Sequence, residues 1–419
     1  MCSTVRDGLQ STPLASAQTN VEVQVEAWFR KQQKSKRELF NPSKTEVRIE
    51  TVMPRENQSP RPVVTDMIVD SSQLQATLRN HLSKKGDTFI YLFLDYSWAP
   101  LNISVEAARQ LVGSIEAGTD LLELFEGFGH PESGYRSDFS GGYNSYCISS
   151  SLATNTPDER TGLNAGITYA LQYIAKTGRS NHPWSERKMG VYHKLRSSSS
   201  TWLIIQPTLV ALSLPKALST SHISQSLEAL LPHIYLLRAS LPAWKSYLGY
   251  LEARIRENSR KIRLTDEKSG IILKTSSVQD LQYHSELLHN TISDLRCNLE
   301  TLSGLELLIA TEPGPSGTAA RCDLASCASH FRMNQKWAED MLERTKEISN
   351  LMAMLVYAKH STILSTNTTL MASVSDSTKS TQDMMLVLAK ATKEDSGIMR
   401  WLATATTICL PFSLITVRN

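Results

Sequence analysis

The sequence has 419 residues, of which 41% are hydrophobic and 20% are charged. The length allows two or three domains, and the composition excludes a collagen-like chain, a wholly disordered chain and a transporter with many membrane spans. The net charge of +3 gives no strong field for nucleic acid, so we expect no nucleic-acid partner. The six cysteines are few and scattered, which favours a reducing compartment over a disulfide framework.

The amino-terminal segment, residues 1–60, is mostly polar and contains four prolines. We interpret it as partly disordered, with one amphipathic helix over residues 21–40. The basic residues of this helix, from Arg30 to Arg37, are typical of a solvated face rather than of a binding patch. The first twenty residues contain no long apolar run, so no secretory signal is expected.

Helix and strand patterns alternate over residues 61–214, which predicts an α/β (α+β) domain. Helices are predicted over residues 71–82 and 104–117. Strands are predicted over residues 87–96, 146–149, 189–195 and 201–206. Ser104 is the expected cap of the second helix. A turn-prone run of serines joins the last two strands and predicts a hairpin.

Residues 215–400 are helical in character and predict a long helical hairpin followed by a stalk. The first helix of the hairpin carries a heptad seam: Leu288, Ile292, Leu295, Leu299 and Leu302. Polar residues, Asp294 and Asn298 among them, lie between the seam positions, so we expect a narrow apolar stripe on one side. Two prolines and two glycines in residues 311–317 predict a break, after which the second helix starts near Phe331.

Residues 361–381 are rich in serine and threonine but contain no proline and no glycine. They are consistent with a linker, because serine and threonine are weak helix formers. They are equally consistent with a continuous helix, because a heptad spacing persists through them. Its members are Leu364, Met371, Val374, Thr378, Thr381, Met385 and Leu388. A helix from residue 331 to 417 would exceed roughly 120 Å and would need partners along its length.

The carboxy-terminal segment, residues 401–417, carries no charge. As a helix it would span roughly 26 Å, the lower limit for crossing a hydrocarbon core. Pro411 lies within it, and membrane helices tolerate an internal proline better than soluble ones. We predict one transmembrane helix here, with a buried core helix as the alternative.

The sequence contains no recognisable catalytic constellation, and we expect no enzyme. It contains neither a phosphate-binding glycine loop nor a Gly-x-Ser-x-Gly elbow. Cys322, Cys327 and His330 give only a weak metal signal, since no second cysteine pair accompanies them. His193 lies within a predicted strand and is expected to close a hairpin hydrogen bond.

Several segments together resemble one family. They are IYLFLDYSWAPLNIS (90–104), Trp184-Ser185, GVYHKL with STWLIIQP (190–207), and KEDSGIMRWLATATTICLPFSLI (393–415). In their order and spacing they are similar to the CorA family of magnesium channels, in its divergent fungal branch. The resemblance implies a membrane protein with a cytosolic amino-terminal domain and a homopentamer whose long helices line a central pore. Mg²⁺ would be the transported ion rather than a bound cofactor.

Carried over by position, the resemblance implies a row of pore-facing residues on the last helix. These are Ser396, Met399, Leu402, Thr406, Leu410 and Ser413. Their spacing puts them on one helical face. The apolar members would form constrictions, and the hydroxyl groups would face the waters of a hydrated ion. The same row could instead pack against neighbouring helices.

The family places a Gly-Met-Asn signature and a second membrane helix after this row, and this sequence contains no Gly-Met-Asn. No metal-selecting residue can therefore be assigned. We expect a CorA-like divalent cation transporter that is impaired or dependent on partner chains, with little Mg²⁺ uptake when this chain alone is expressed. The alternative is a non-transporting scaffold, either tail-anchored or soluble, that kept the cytosolic domain for protein contacts.

Overall fold

The computed structural model describes residues 14–34, 38–54, 61–96, 99–129, 144–149, 163–180, 182–196, 199–220, 225–263, 275–310 and 315–416. The chain divides into two units. The first unit consists of Met1–Leu264 and Gln279–Lys346, and the second of Thr265–Val278 and Glu347–Asn419.

A single sheet organises the first unit. Within the described residues its seven strands follow the order β2-β1-β3-β7-β6-β5-β4. The strands are β1 Val47–Val52, β2 Val63–Ile68, β3 Asp87–Leu92, β4 Asn144–Ser149, β5 Leu163–Lys176, β6 Trp184–Arg196 and β7 Ser199–Ile205. The central pair β3–β7 is parallel, and the other described pairs are antiparallel. The predicted hairpin is the β6–β7 pair, although Ser197 of its turn lies outside the described residues.

Four helices cover one face of the sheet. They are α1 Leu14–Lys34, α2 Ser71–Leu82, α3 Val105–Ile115 and α4 Thr119–Glu126. Their apolar residues form one core with alternate strand residues such as Ile90 and Leu203. The Ser104 side chain accepts a hydrogen bond from the Ala107 N–H, so the predicted cap of α3 is confirmed. The predicted helix over residues 71–82 is confirmed as α2.

The other face of the sheet is covered by α5 Leu209–Thr220, α6 Gln225–Arg263 and α7 Thr275–Ala310. Tyr91 of β3 points to this side and donates a hydrogen bond to the Ala211 carbonyl at 3.2 Å. Its neighbours Ile90 and Leu92 belong to the core on the opposite face. The period-two alternation of a strand thus gives β3 two apolar faces, which explains its almost continuous apolar sequence.

The sheet begins earlier in the chain than the boundary predicted at residue 61. β1 lies between β2 and β3, and Val47 and Ile49 are fully buried. The predicted first helix also ends earlier, at Lys34, and Phe40 forms a bridge with Leu101 instead. The sequence around β1 is polar and contains prolines, so it does not have the apolar run that predicts a buried strand. Only alternate residues of β1 enter the core on each face of the sheet.

The chain after the sheet is helical as predicted, whereas the antiparallel hairpin of its last two helices stays a prediction. The last of them is α8 Pro315–Thr416, which starts well before Phe331 because proline is tolerated at the first helical position. Arg238 of α6 pairs with Asp323 of α8 at 3.4 Å, and a Cβ at Gly249 of α6 would lie 4.0 Å from the Trp337 ring of α8, so α6 and α8 are parallel. Residues 311–314 of the predicted break lie outside the described residues.

The buried surface of α7 is wider than a single stripe. Asp294 is 4% exposed and Asn298 is fully buried, although the heptad pattern placed both outside the seam. The Asn298 side chain accepts a hydrogen bond from the Gln172 N–H at 3.0 Å and donates one to the Gln172 carbonyl at 2.8 Å. The prediction of a single-sided stripe is therefore wrong, because α7 packs against the edge of β5 as well as against helices.

In the second unit, α8 remains helical through the serine- and threonine-rich residues 361–381. Threonine hydroxyls there donate to backbone carbonyls one turn earlier, for example from Thr378 to Val374 at 2.8 Å and from Thr381 to Ser377 at 2.9 Å. These bonds satisfy the hydroxyl groups within the helix, which resolves the choice between linker and helix in favour of the helix.

The segment predicted to cross a membrane, residues 401–417, continues α8 as far as Thr416, and Val417 lies outside the described residues. Among the helices of the described chain, none combines the length and the apolar character that a membrane crossing requires.

Candidate functional site

The predicted pore-facing row lies on the second-unit part of α8. Met399 is 67% exposed and Leu402 is 55% exposed. Ser396 is also exposed, and Thr406 lies further along the same helix. The helix extends to Thr416, so the backbone of the remaining members, Leu410 and Ser413, is helical, while their side chains lie outside the described set. The members with described side chains, Ser396, Met399, Leu402 and Thr406, are thus exposed on one continuous helix.

The Thr406 hydroxyl has a fixed donor direction. It donates its hydrogen to the Leu402 carbonyl at 2.8 Å and lies 2.9 Å from the Ala403 carbonyl. With its hydrogen directed at the backbone, the oxygen presents lone pairs outward and acts as an acceptor. Waters bound to a cation point their hydrogens away from the ion. An acceptor of this kind therefore suits a hydrated cation.

Cys322, Cys327 and His330, which give the weak metal signal in the sequence, do not form a metal site in the described structure. Cys322 is exposed and Cys327 is buried, both on α8. The ring of His330 donates from Nδ1 to the Ser326 carbonyl at 2.8 Å. In the parts of the chain with described side chains, no group of three or more His, Cys, Asp or Glu could hold a metal ion.

His193 takes part in a buried chain of polar groups that the sequence did not reveal. Its Nδ1 lies 3.0 Å from His233 Nε2, and His233 Nδ1 lies 2.9 Å from the Tyr169 hydroxyl. Its ring stacks on Trp202 at 3.8 Å. The prediction that His193 closes a hairpin bond is wrong, since the side chain joins β6 to α6. Burial holds the pKa of both histidines far below the ordinary value, and that of His233 falls to about 3.

A second polar chain joins three elements in the manner of a hydrolase triad. Thr51 Oγ1 lies 2.7 Å from His81 Nδ1, and His81 Nε2 lies 2.7 Å from Asp66 Oδ2. Thr51 and His81 are fully buried, whereas the Asp66 side chain is 48% exposed. A nucleophile must reach its substrate, so this order of burial fits a structural link between β1, α2 and β2 and not catalysis.

The segment 90–104, the first of those that resemble the CorA family, contributes to a cluster of polar side chains beside β3. Asn102 is buried, and its Nδ2 donates to Glu46 at 3.1 Å and to Asp95 at 2.9 Å. Lys44 completes the cluster by pairing with the same two carboxylates. Hydrogen bonds from Lys44 and Asn102 hold the pKa of Asp95 below its ordinary value. The segment therefore fixes the chain that leaves the sheet.

The segment GVYHKL (190–195), which also resembles the family, has a steric reason for its glycine. A Cβ at Gly190 would lie 2.9 Å from the Phe128 ring and 3.2 Å from Ile205 Cβ. In the same segment, the Lys194 ammonium donates to the Ile115 carbonyl at 3.2 Å and to the Glu116 carbonyl at 2.9 Å, which caps the end of α3. Both residues serve the packing of α3 and α4 against the sheet.

The sequence matches the family model of the CorA-like transporters over residues 13–263, more than half of its length. The chain belongs to this family. Its members are transporters and not enzymes, so the expectation that the chain is no enzyme is confirmed. No curated protein matches the sequence.

Solved structures of CorA, CmaX and ZntB proteins are similar to this chain only at low sequence identity and with TM-scores below 0.5. The complete CorA magnesium transporter from Methanocaldococcus jannaschii has 10% identity and a TM-score of 0.44, covering 76% of this chain and 80% of that one. The full-length CmaX protein has 8% identity and a TM-score of 0.48, covering 77% and 81%. The ZntB cytoplasmic domain from Vibrio parahaemolyticus RIMD 2210633 has 9% identity and a TM-score of 0.37, covering 76% and 100%. The family assignment rests on the sequence match.

Proposed function

We propose that the chain is a subunit of a CorA-like divalent cation transporter, with Mg²⁺ as the transported ion. The family match over residues 13–263 carries this proposal. The sheet domain would be the cytosolic part, and the end of α8 would lie at a membrane. Several copies would assemble through α8 as a homo-oligomer, with five copies expected from the resemblance.

The exposed apolar surface of the second unit supports assembly. Met371, Met385 and Leu388 each expose more than half of their side chains, and all belong to the heptad seam. A helix with such a seam gains stability by burying it against copies of itself. Self-association would place the seams, and the row that begins at Ser396, around a common axis.

The chemistry of the row suits a hydrated divalent ion. Mg²⁺ gives up its waters reluctantly and is held through oxygen ligands. Met399 and Leu402 would form apolar rings, and Thr406 would accept hydrogen bonds from the waters of the ion. No ligand exchange at the metal is needed for this contact, so the row would pass the ion without trapping it.

The test is Mg²⁺ uptake in cells of the natural host, which contain any partner chains. Met399→Asp introduces a carboxylate on the row and should change the rate or the ion preference of uptake. Lys390→Asp is the matched control, because nine helical residues place it about 180° away on the opposite face. We expect an effect of the first substitution and none of the second.

Two outcomes would count against the proposal. If deletion of the gene leaves uptake of Mg²⁺ and other divalent cations unchanged, the chain is not a transporter subunit, and a scaffold role replaces it. If deletion abolishes uptake but both carboxylate variants behave like the natural protein, the row on α8 does not line the ion path.

A further inference from the structure

A cleft of about 430 Å³ opens between α6, α7 and the turn that joins β5 to β6, wholly within the first unit. Aromatic rings line it: Trp184, Tyr247, Tyr250 and Tyr283. The Trp184 and Tyr247 rings lie 6.1 Å apart with their planes at 58°, which makes a corner of two π faces. Tyr283 is 45% exposed, so the cleft is open to ligands from outside.

Carboxylates accompany the rings. Glu186, Glu257 and Asp280 line the cleft, against two basic side chains, Arg254 and Lys261. Lys261 is already paired with Glu257 at 2.8 Å. The Glu186 carboxylate lies near two of the phenols: burial is the main cause of the raised pKa of Tyr247 and of Tyr283, and the charge of Glu186 adds to it in both.

The rings of this cleft already attract cations of the chain itself. The Arg254 guanidinium lies 5.6 Å from the centre of the Tyr250 ring, and the Lys176 ammonium lies 5.5 Å from the centre of the Trp184 ring. Both distances are within the range of a cation–π interaction. The site therefore combines the two features that recognise organic cations, electron-rich faces and negative charge.

We propose that this cleft binds a small organic ammonium ion of the choline type. Aromatic walls favour an alkylated ammonium, whose charge is spread over methyl groups and which is weakly hydrated, over a divalent metal ion, which keeps its waters or takes oxygen ligands. An anion such as a phosphate would meet three carboxylates against two cations, and both cations already pair with Glu257, Arg254 at 3.4 Å and Lys261 at 2.8 Å. The proposal is independent of transport, because it concerns residues remote in sequence from the row on α8.

Isothermal titration of the full chain, in a non-ionic detergent free of choline head groups, tests the proposal. Choline is compared with 3,3-dimethyl-1-butanol, which has the same shape and no charge. We expect choline to bind at millimolar concentration or below, and the alcohol to bind at least about tenfold more weakly. Equal binding of the two, no binding of choline, or tighter binding of inorganic phosphate or AMP would overturn the proposal.

Substitutions locate the site. Glu186→Gln removes the charge and keeps the shape, and it should weaken choline binding about tenfold. Tyr283→Leu removes an exposed ring and should do the same without unfolding the chain. Glu343→Gln is the matched control on α8 outside the cleft, and it should leave the affinity unchanged. If Glu186→Gln and Tyr283→Leu both bind choline like the natural chain, the proposed site is wrong.

Discussion

Two buried histidines give the first unit a built-in sensitivity to acid. His193 and His233 lie between β6, β7 and α6, facing Tyr169 and Trp202, and burial favours their neutral form. In the unfolded chain each histidine has an ordinary pKa near 6.5. Below that pH the unfolded state binds more protons than the folded state, so acid favours unfolding.

We therefore expect the free energy of unfolding to fall as the pH drops from about 6.5 toward 3, by about 1.4 kcal/mol per pH unit for each histidine. Urea unfolding at several pH values measures this slope. His233→Asn should remove one histidine's share of it, and His360→Asn, at an exposed position of α8, should leave it unchanged. A slope that persists in full in the His233 variant would contradict this assignment.

Gly190, in the segment GVYHKL (190–195), offers a steric test. Because a Cβ at Gly190 meets the Phe128 ring and Ile205, we expect Gly190→Ala to lower the free energy of unfolding by about 1–3 kcal/mol. Gly113 of α3 is the matched control, since a Cβ there meets nothing within 4 Å. Gly113→Ala should be neutral or stabilising, as alanine favours helix. Equal losses in the two variants would show that packing at Gly190 is not the cause.

At the scale of elements, Asn298 joins α7 to the backbone of β5. β4 pairs with residues 163–168 of β5, so Gln172 lies beyond the end of that pairing. Asn298→Ala would leave the buried N–H and carbonyl of Gln172 without these partners, and we expect a loss of about 2–4 kcal/mol in urea unfolding. Ser293→Ala, at an exposed position of the same helix, should cost less than about 0.5 kcal/mol. Similar losses in both would contradict the edge contact.

Paired substitutions can test whether copies of the chain associate through the heptad seam of α8 or through the neighbouring face of the helix. Met385 and Leu388 lie on the seam, and Met384 and Val387 lie beside it with similar exposure. Replacing the seam pair by lysines should dissociate the proposed oligomer, because it would place like charges in the contact expected between copies. Replacing the neighbouring pair should weaken assembly less. Light scattering after gel filtration measures both, and an equal response would remove the seam as the contact.

Local patterns predicted some elements well and others not at all. The cap at Ser104, the helix α2 and the β6–β7 hairpin depend on neighbours in sequence, so the sequence predicts them. β5 was missed because its two faces are both covered and its pattern alternates weakly. The buried polar chain joins Tyr169, His193 and His233 from separate elements, and only the fold brings them together. The pore-facing row stays a prediction, since the structure shows only the continuous helix α8 on which its residues lie.

At the scale of the whole molecule, two kinds of surface have different roles. The sheet unit buries its apolar residues internally, whereas the second-unit part of α8 exposes a long series of them. A single exposed helix of this composition is typical of an assembly element. In the proposed CorA-like transporter, this element would bring several copies together around the ion path.

The mass of the purified chain in mild detergent tests most directly whether α8 gathers copies around an axis. Light scattering with correction for bound detergent gives the protein mass, to be compared with 46.7 kDa for one chain. The account predicts a particle of five copies. A particle that stays at the mass of one chain at all concentrations would contradict it.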